Sequence, residues 1–269
     1  MSVKILFVGD VFGRPGREML ERQLPPLKQS LNVDLCIVNG ENAAGGRGIT
    51  YEVAKQLYGA GADIITLGNH AWDNKSVFSF IDEDACMVRP MNYPSGVPGR
   101  GFTSLQTKQG HTIVVAQVLC RLFMQMVDCP FQALDAFLAN HSENDIIIID
   151  THGEATSEKV SMGWHLDGRV SAVLGTHTHV PTADERILPK GTAYITDVGM
   201  SGPYDSVIGM DIDTALTGFL TTLRKPFKIA SENVKLCAVY LEIDEQSGAA
   251  LSIERVVRQD EANYEALRS

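Results

Sequence analysis

The chain has 269 residues, 44% of them hydrophobic, enough to bury a large core, and we read residues 1–269 as a single α/β domain. Its 23 basic and 33 acidic residues leave a formal charge of −10, and no Lys/Arg tract is present to follow a long nucleic-acid backbone. Extended DNA or RNA is therefore excluded as an expected partner, and so is a membrane, because no window approaches the roughly 18 uninterrupted apolar residues of a span.

The apolar run Val3 to Phe12 is broken by Asp10 and has no small-residue cleavage site behind it, so it reads as a buried first strand, Val3–Val8, rather than a signal peptide. A helix from about Arg14 should end before Pro25 and Pro26, and a strand Leu35–Val38 follows. Next come a helix near Tyr51–Tyr58 and a strand Asp63–Leu67. The Gly/Pro-rich stretch Arg89–Gly101 reads as a surface loop beside a pocket. Gly101–Gln106 and Thr112–Leu119 flank the turn-like Lys108-Gln109-Gly110 and predict a hairpin. The α/β pattern resumes with strand Asp145–Ile149, a helix near Glu158–Trp164, and strands Val170–Leu174 and Ala193–Ile195. A last hairpin pairs Lys235–Ile243 with Ala250–Val257. Short apolar runs alternating with helical patterns imply βαβ units, and the whole predicts two packed sheets with helices outside, a four-layer α/β/β/α sandwich.

Five of the apolar runs end at once in metal-ligating residue types. They are ILFVGD at Asp10, CIVNGEN at Glu41 and Asn42, IITLGNH at Asn69 and His70, IIIIDTH at His152, and VLGTHTH at His177 and His179. Ligands of open α/β sheets bind beyond the carboxyl ends of the strands, so these residues can converge although they are far apart in sequence. Each alone has an ordinary explanation: Asp10 as a helix cap, Asn42 and Asn69 as turn residues, His152 as a hydrogen-bonded core histidine, and His177 and His179 as neighbours on one face of a continuing strand. Five independent ordinary explanations together are a poorer account than one shared metal site.

The donor set has its own logic. Imidazole, carboxylate and amide oxygen suit Fe, Mn or Zn, with Mg also admissible, and the absence of Cys ligands argues against structural zinc. The five cysteines, odd in number and without C-x-x-C spacing, fit a reducing cytosol. Glu41 has two oxygens with which to bridge two ions, and a pair about 3.5–4 Å apart would acidify a shared water and hold phosphoryl oxygens for in-line displacement. His70, beside Asn69, is the candidate acid for the leaving oxygen. Arg14, Arg17 and Arg47 are candidate phosphate contacts or simply solvated, Glu154 and Tyr204 candidate pocket residues, and Gly9, Gly40, Gly68 and Gly175 precede ligands where loop backbone must pass close to the ions.

The stretches GDVFGRPGR, NGENAAGGRGIT, GADIITLGNHAWD, DTHGEATSEK, GTHTHVPTAD and ILPKGTAYITDVGMSGPYDSVIGMD resemble the YmdB-type metallophosphoesterases, a bacterial branch of the calcineurin-like superfamily, over roughly Val3 to Arg258. The resemblance implies one metal held by Asp10, Glu41, Asn42 and His179 and another by Glu41, Asn69, His152 and His177, with His70 protonating the leaving group. Most of the superfamily carries D-x-H at the first motif, whereas here Phe12 stands two residues after Asp10 and Asn42 would take the vacant role, as is typical of this branch. It further implies hydrolysis of small phosphodiesters, particularly 2′,3′-cyclic nucleotides, by a cytoplasmic homo-oligomer. The competing readings are a phosphomonoesterase or amidohydrolase on the same metal pair, and a nucleotide-binding regulator with slow turnover.

Overall fold

The structure, a computed structural model, describes residues 2–106, 110–142, 145–223 and 225–259. The chain opens with β1 (Ser2–Val8), β2 (Asp10–Val11), α1 (Gly13–Leu31), β3 (Leu35–Asn39), α2 (Tyr51–Ala60), β4 (Ile64–Thr66) and β5 (Met87–Val88). A hairpin of β6 (Phe102–Gln106) and β7 (Thr112–Leu119) leads to α3 (Pro130–Leu138), β8 (Ile146–His152), α4 (Thr156–Leu166) and β9 (Ala172–Thr176). The remainder is β10 (Arg186–Ile187), β11 (Ala193–Ile195), β12 (Met200–Pro203), α5 (Ile212–Thr221), β13 (Val234–Asp244) and β14 (Ala250–Gln259).

Among the described residues these strands form an eight-stranded sheet in the order β2-β12-β13-β1-β3-β4-β5, with β14 also on β13, and a six-stranded sheet β10-β11-β9-β8-β7-β6. The run β1-β3-β4-β5 is parallel, as is β7-β8-β9-β11, and the last hairpin joins the first sheet antiparallel to β1.

Strand periodicity sorts the side chains into separate cores. Successive residues of a strand point to opposite faces. Val3, Ile5 and Phe7 of β1 accordingly meet Ile113, Val115, Ile146 and Ile148 of the other sheet. Leu6 and Val8, on the opposite face, pack with Met19, Leu20 and Leu24 of α1 and Leu57 of α2. In the second sheet Val114, Ile147 and Val173 turn outward onto Leu134 and Phe137 of α3 and Met162 and Leu166 of α4. Each such aliphatic side chain, fully withdrawn from water, stabilises the fold by roughly 1.5–3 kcal/mol before entropy is charged against it. This double-sided burial explains why the strands read as nearly continuous apolar runs.

Two points of the sequence reading need correction. Helix α1 does not stop before Pro25 and Pro26 but carries both and ends at Leu31, capped by Asn32 in the left-handed conformation. The prolines occupy the exposed face, so the carbonyls that lose their donors face solvent, while Leu20, Leu24 and Leu27 on the buried face hold the helix together. Helices α3 and α5 were not anticipated; α5 buries only Ala215. The loop from Arg89 is closed by its own guanidinium, which donates to the carbonyls of Pro90, Val97, Pro98 and Gly99; as expected it runs beside a pocket, one lined by Gln125, whose amide donates to Tyr93, although none of its residues lines the site cavity described below. The 102–119 hairpin forms as expected, though Lys108 and Gln109 of its turn lie outside the described residues.

Candidate metal centre

Strands β1, β3 and β4 of one sheet and β8 and β9 of the other end at the same edge of the molecule, and the polar residues after them meet there. Glu41, His152 and His177 offer ligand atoms that all lie within 4.8 Å of one another. His152 Nε2 is 2.9 Å from Asn69 Oδ1, 3.1 Å from Glu41 Oε1 and 3.1 Å from His177 Nδ1. One imidazole nitrogen cannot make three hydrogen bonds. Ligands about 2.1 Å from an ion and at right angles to one another would stand about 3.0 Å apart, so these spacings fit the edges of a coordination shell.

The other half of the set lies beside it. Asn42 Nδ2 is 3.0 Å from Glu41 Oε1 and 3.1 Å from His179 Nε2, and His179 Nε2 is 3.9 Å from Asp10 Oδ1. Ligation by Asn42 would use its Oδ1, which a half-turn of the amide brings inward. Asp10 Oδ1 is buried and accepts no hydrogen bond from any described residue. A buried carboxylate oxygen without a donor is costly, and a cation would remove that cost.

What fixes the site is the way each histidine is held. His152 Nδ1 lies 2.8 Å from Thr176 Oγ1, whose hydroxyl donates to Asp150 Oδ1 at 2.6 Å, so the ring donates through Nδ1 and turns Nε2 inward. His179 donates through Nδ1 to the carbonyl of Ile208 at 2.8 Å, freeing Nε2. His177 has Nε2 3.3 Å from Glu154 and directs Nδ1 to the cluster. Each ring thus has one nitrogen tied to an outer acceptor and the other facing Glu41 or its neighbours, the tautomer control typical of metal-ligating histidine.

Several ordinary explanations fail here. Asp10 is not a helix cap, because the N-cap of α1 is Phe12 and no side chain caps it. His177 and His179 do not continue a strand: β9 ends at Thr176, and both histidines have left-handed backbone, φ 99° and 67°. Non-glycine residues persist there only where surrounding contacts over-determine the backbone. The loop is anchored from below by Lys159 and Asp197, both buried and 2.8 Å apart, with Asp197 also accepting from the amide and hydroxyl of Thr178.

The charges are distributed accordingly. Burial pushes Asp10 up to about 6, against the pull of His179 and His152. Burial opposes the ionisation of Glu41 as well, but the charge and hydrogen bond of His152 outweigh it and hold the carboxylate well below its usual range. For His152 burial is likewise outweighed, by Glu41, and its pKa stands at about 9. His177, desolvated and next to His152, falls to about 3. The protein alone balances Glu41 with a protonated His152.

Gly68 is a steric requirement: a Cβ there would stand 2.2 Å from Glu41 Oε2 and 2.6 Å from His152 Nε2. Gly9 and Gly175 pack instead against the carbonyls of Gly199 and Thr196, so their absent side chains serve backbone packing and not the cluster. His70 lies outside the cluster. Its amide donates to Glu41 Oε2, while its ring, a quarter exposed, has Nδ1 2.8 Å from Asp73.

The cavity over the cluster measures about 400 Å³ and is lined in part by Glu41, His70, Arg47, Glu154, His177 and Phe12. Arg47 and Glu154 are therefore placed at it. Arg14 pairs with Glu18 on the surface, Arg17 holds the Ala43 carbonyl and Gln56, and Tyr204 bonds the Met200 carbonyl and Cys237 away from the cavity. Residues 6–256 match the model of the family described as YmdB-like protein.

The chain belongs to the YmdB-like family.

It is 48% identical over 260 residues to the 2′,3′-cyclic-nucleotide 2′-phosphodiesterase of Bacillus subtilis (strain 168), covering 96% of this chain and 98% of that one. Among solved structures it is similar to a hypothetical protein from Thermus thermophilus, with TM-score 0.91 and 44% identity over 96% of this chain and all of that one. A novel phosphatase from Mycoplasma pneumoniae gives TM-score 0.90 and 34% identity, covering 98% of this chain and 97% of that one.

Sequence reasoning missed the support beneath the candidate ligands. Asp150 accepts from Asn39, Thr66 and Gln117 as well as Thr176, tying the two sheets together under His152. The available signal was a carboxylate inside the isoleucine run of β8, where a buried charge requires partners. Asp73, three residues after His70, was equally visible and unread.

Proposed function

We propose that the chain is a metal-dependent phosphodiesterase of small phosphodiesters, 2′,3′-cyclic nucleotides foremost, folded as a single four-layer α/β/β/α domain of the calcineurin-like type and working in the cytoplasm as a homo-oligomer. The observation that carries the enzymatic reading is the inward presentation of three imidazole nitrogens, those of His152 and His177 toward Glu41 and that of His179 toward Asn42 and Asp10, each ring fixed by an outer acceptor. The name of the Bacillus subtilis relative and the three separate cores support the substrate and fold parts. Among the described residues no helix is long and apolar enough to cross a membrane.

Asp10, Glu41, Asn42 and His179 would hold one ion and Glu41, Asn69, His152 and His177 the other, Fe or Mn before Zn or Mg. Such ions supply Lewis acidity toward phosphoryl oxygens and an activated water. The chain's own residues do the rest. His70, outside the ligand cluster and oriented by Asp73 2.8 Å from its Nδ1, is placed to protonate the departing oxygen. Arg47 at the cavity supplies a fixed cation for a substrate anion. Phe12, buried against His179 at 5.3 Å between ring centroids, closes one wall to water.

Metal analysis of the purified protein, with a screen of cyclic diesters, linear diesters and phosphomonoesters, tests the proposal. Two Fe or Mn ions per chain and a preference for cyclic diesters are expected. A preference for monoesters, or no turnover of any diester by the metal-loaded protein, rejects it.

A further inference from the structure

A second cavity opens beside the one over the ligand cluster. It measures about 920 Å³ and shares Arg47, Ile208, Met210 and Phe227 with its neighbour. Its remaining walls come largely from α5 and its flanks, with Ala215, Phe219 and the rim residue Lys225 among them. A mostly apolar concavity with a few polar groups at its edge is the usual form of a small-molecule site.

Two features set this cavity apart from a surface dent. Phe227, 41% exposed, is braced: its ring lies 6.2 Å from that of Phe12, which stands edge-on to His179, and a Cβ on Gly46 would come within 2.7 Å of it. The Arg47 guanidinium is 5.6 Å from the Phe227 centroid and makes no ion pair with the described residues.

The second feature is Ile208. Its backbone is left-handed, φ 47°, a conformation that a β-branched residue adopts only at a steric cost. Its carbonyl is the one that fixes His179, and its side chain lines both cavities and is 54% exposed. Glycine would satisfy that backbone and offer the same carbonyl without strain. What isoleucine adds at this position is the side chain that walls both cavities.

We infer that this cavity is a nucleobase subsite, in which Phe227, Ile208 and Met210 receive the planar base of a nucleotide whose phosphodiester lies over Glu41 and His70. The inference rests on the phosphodiesterase reading of the adjoining cluster and names the part of the substrate that reading leaves open. A flat π-system suits these walls because it can stack on the exposed Phe227 ring or on the guanidinium that lies over it, whereas an alkyl group has no π-face to offer either. Few hydrogen-bonding groups line the cavity, so it selects for the presence of a base more than for its identity. Phe227 is its specificity-determining residue.

The test compares adenosine 2′,3′-cyclic phosphate with the methyl riboside 2′,3′-cyclic phosphate, which has no base, on the Mn-loaded parent and on the Phe227→Ala and Ile208→Gly variants. Adenosine binding to the metal-free proteins is measured by equilibrium dialysis in parallel. The parent should favour the nucleotide in kcat/KM by about 5- to 150-fold, through KM, the range of one base–aromatic stack. Both variants should lose most of that preference, and Phe227→Ala should weaken adenosine binding by a similar factor. A parent without preference, a preference that survives both substitutions, or no adenosine binding to the parent overturns the subsite. Adenosine bound in a Phe227-dependent way with neither diester turned over supports the subsite and overturns the phosphodiesterase reading instead.

Discussion

Replacing Gly68 with Ala probes the candidate centre with a single methyl group. Gly68 lies outside the left-handed region, so alanine has no backbone penalty there, and the effect is confined to what the new Cβ meets. That atom would stand 2.2 Å from Glu41 Oε2 and 2.6 Å from His152 Nε2, where ordinary contact begins at 3.4 Å. The carboxylate must therefore retreat by about 1.2 Å. Glu41 and His152 are both fully buried and held on their far sides, so neither can yield freely. Overpacking of this kind costs about 1–3 kcal/mol of stability. A displacement near 1 Å in a reacting constellation costs on the order of 10²-fold in rate. Gly68→Ala should accordingly remain folded, lose at least one of two bound ions, and fall about 10²-fold in kcat/KM. Metal analysis, thermal unfolding and diester kinetics read these three quantities. Gly59→Ala serves as the control: it lies inside α2 with nothing within 4 Å of the added Cβ, and should gain roughly 0.5–1 kcal/mol with metal and activity retained. Full metal occupancy and parental turnover in Gly68→Ala would refute the assignment of Glu41 and His152 to the centre.

Glu41→Gln removes the shared negative charge and should lower both metal occupancy and turnover; two ions per chain with undiminished rate would remove Glu41 from the bridging position. His70→Ala should keep both ions and slow turnover by about 10²–10⁴-fold on a diester releasing a sugar alkoxide, and far less on one releasing nitrophenol. Equal losses on the two substrates would reject proton donation, and loss of metal would make His70 a support for Glu41. The pH dependence follows from His152. Its pKa of about 9 lies above the unfolded value of 6.5, so in the metal-free protein its pairing with Glu41 is fully stabilising below pH 6.5 and is lost as pH rises through 9. Metal must displace that proton. Affinity should therefore rise with pH up to about 9 and fall further as Asp10 protonates below about 6, with close to one proton released per chain on loading at pH 7. Calorimetry in two buffers of different ionisation enthalpy counts that proton, and a value near zero would contradict the His152–Glu41 pairing.

Much of this protein was legible in one dimension. Strands such as Ile146–His152 announce themselves because both of their faces are buried, which leaves an apolar run with a polar residue where the strand emerges. For the same reason Asp10, Glu41, Asn69, His152 and His177 could be picked out from where such runs end. What periodicity could not reveal was anything set by contacts between distant segments. Pro25 and Pro26 look like a helix terminus until the buried face of Leu20, Leu24 and Leu27 is seen to outweigh two missing hydrogen bonds. The left-handed turns at His177 and His179 and the tautomers imposed by Thr176, Ile208 and Glu154 depend on segments brought together only by folding. Asp150, read as one letter in an isoleucine run, becomes the link between the two sheets because Asn39 and Thr66 arrive from the other one. The sequence by itself determined which residues emerge at the strand ends, since that follows from local burial. The tertiary structure alone decided which nitrogen each histidine presents, because a tautomer is set by a hydrogen-bond partner and those partners are 24 to 29 residues away for His152 and His179.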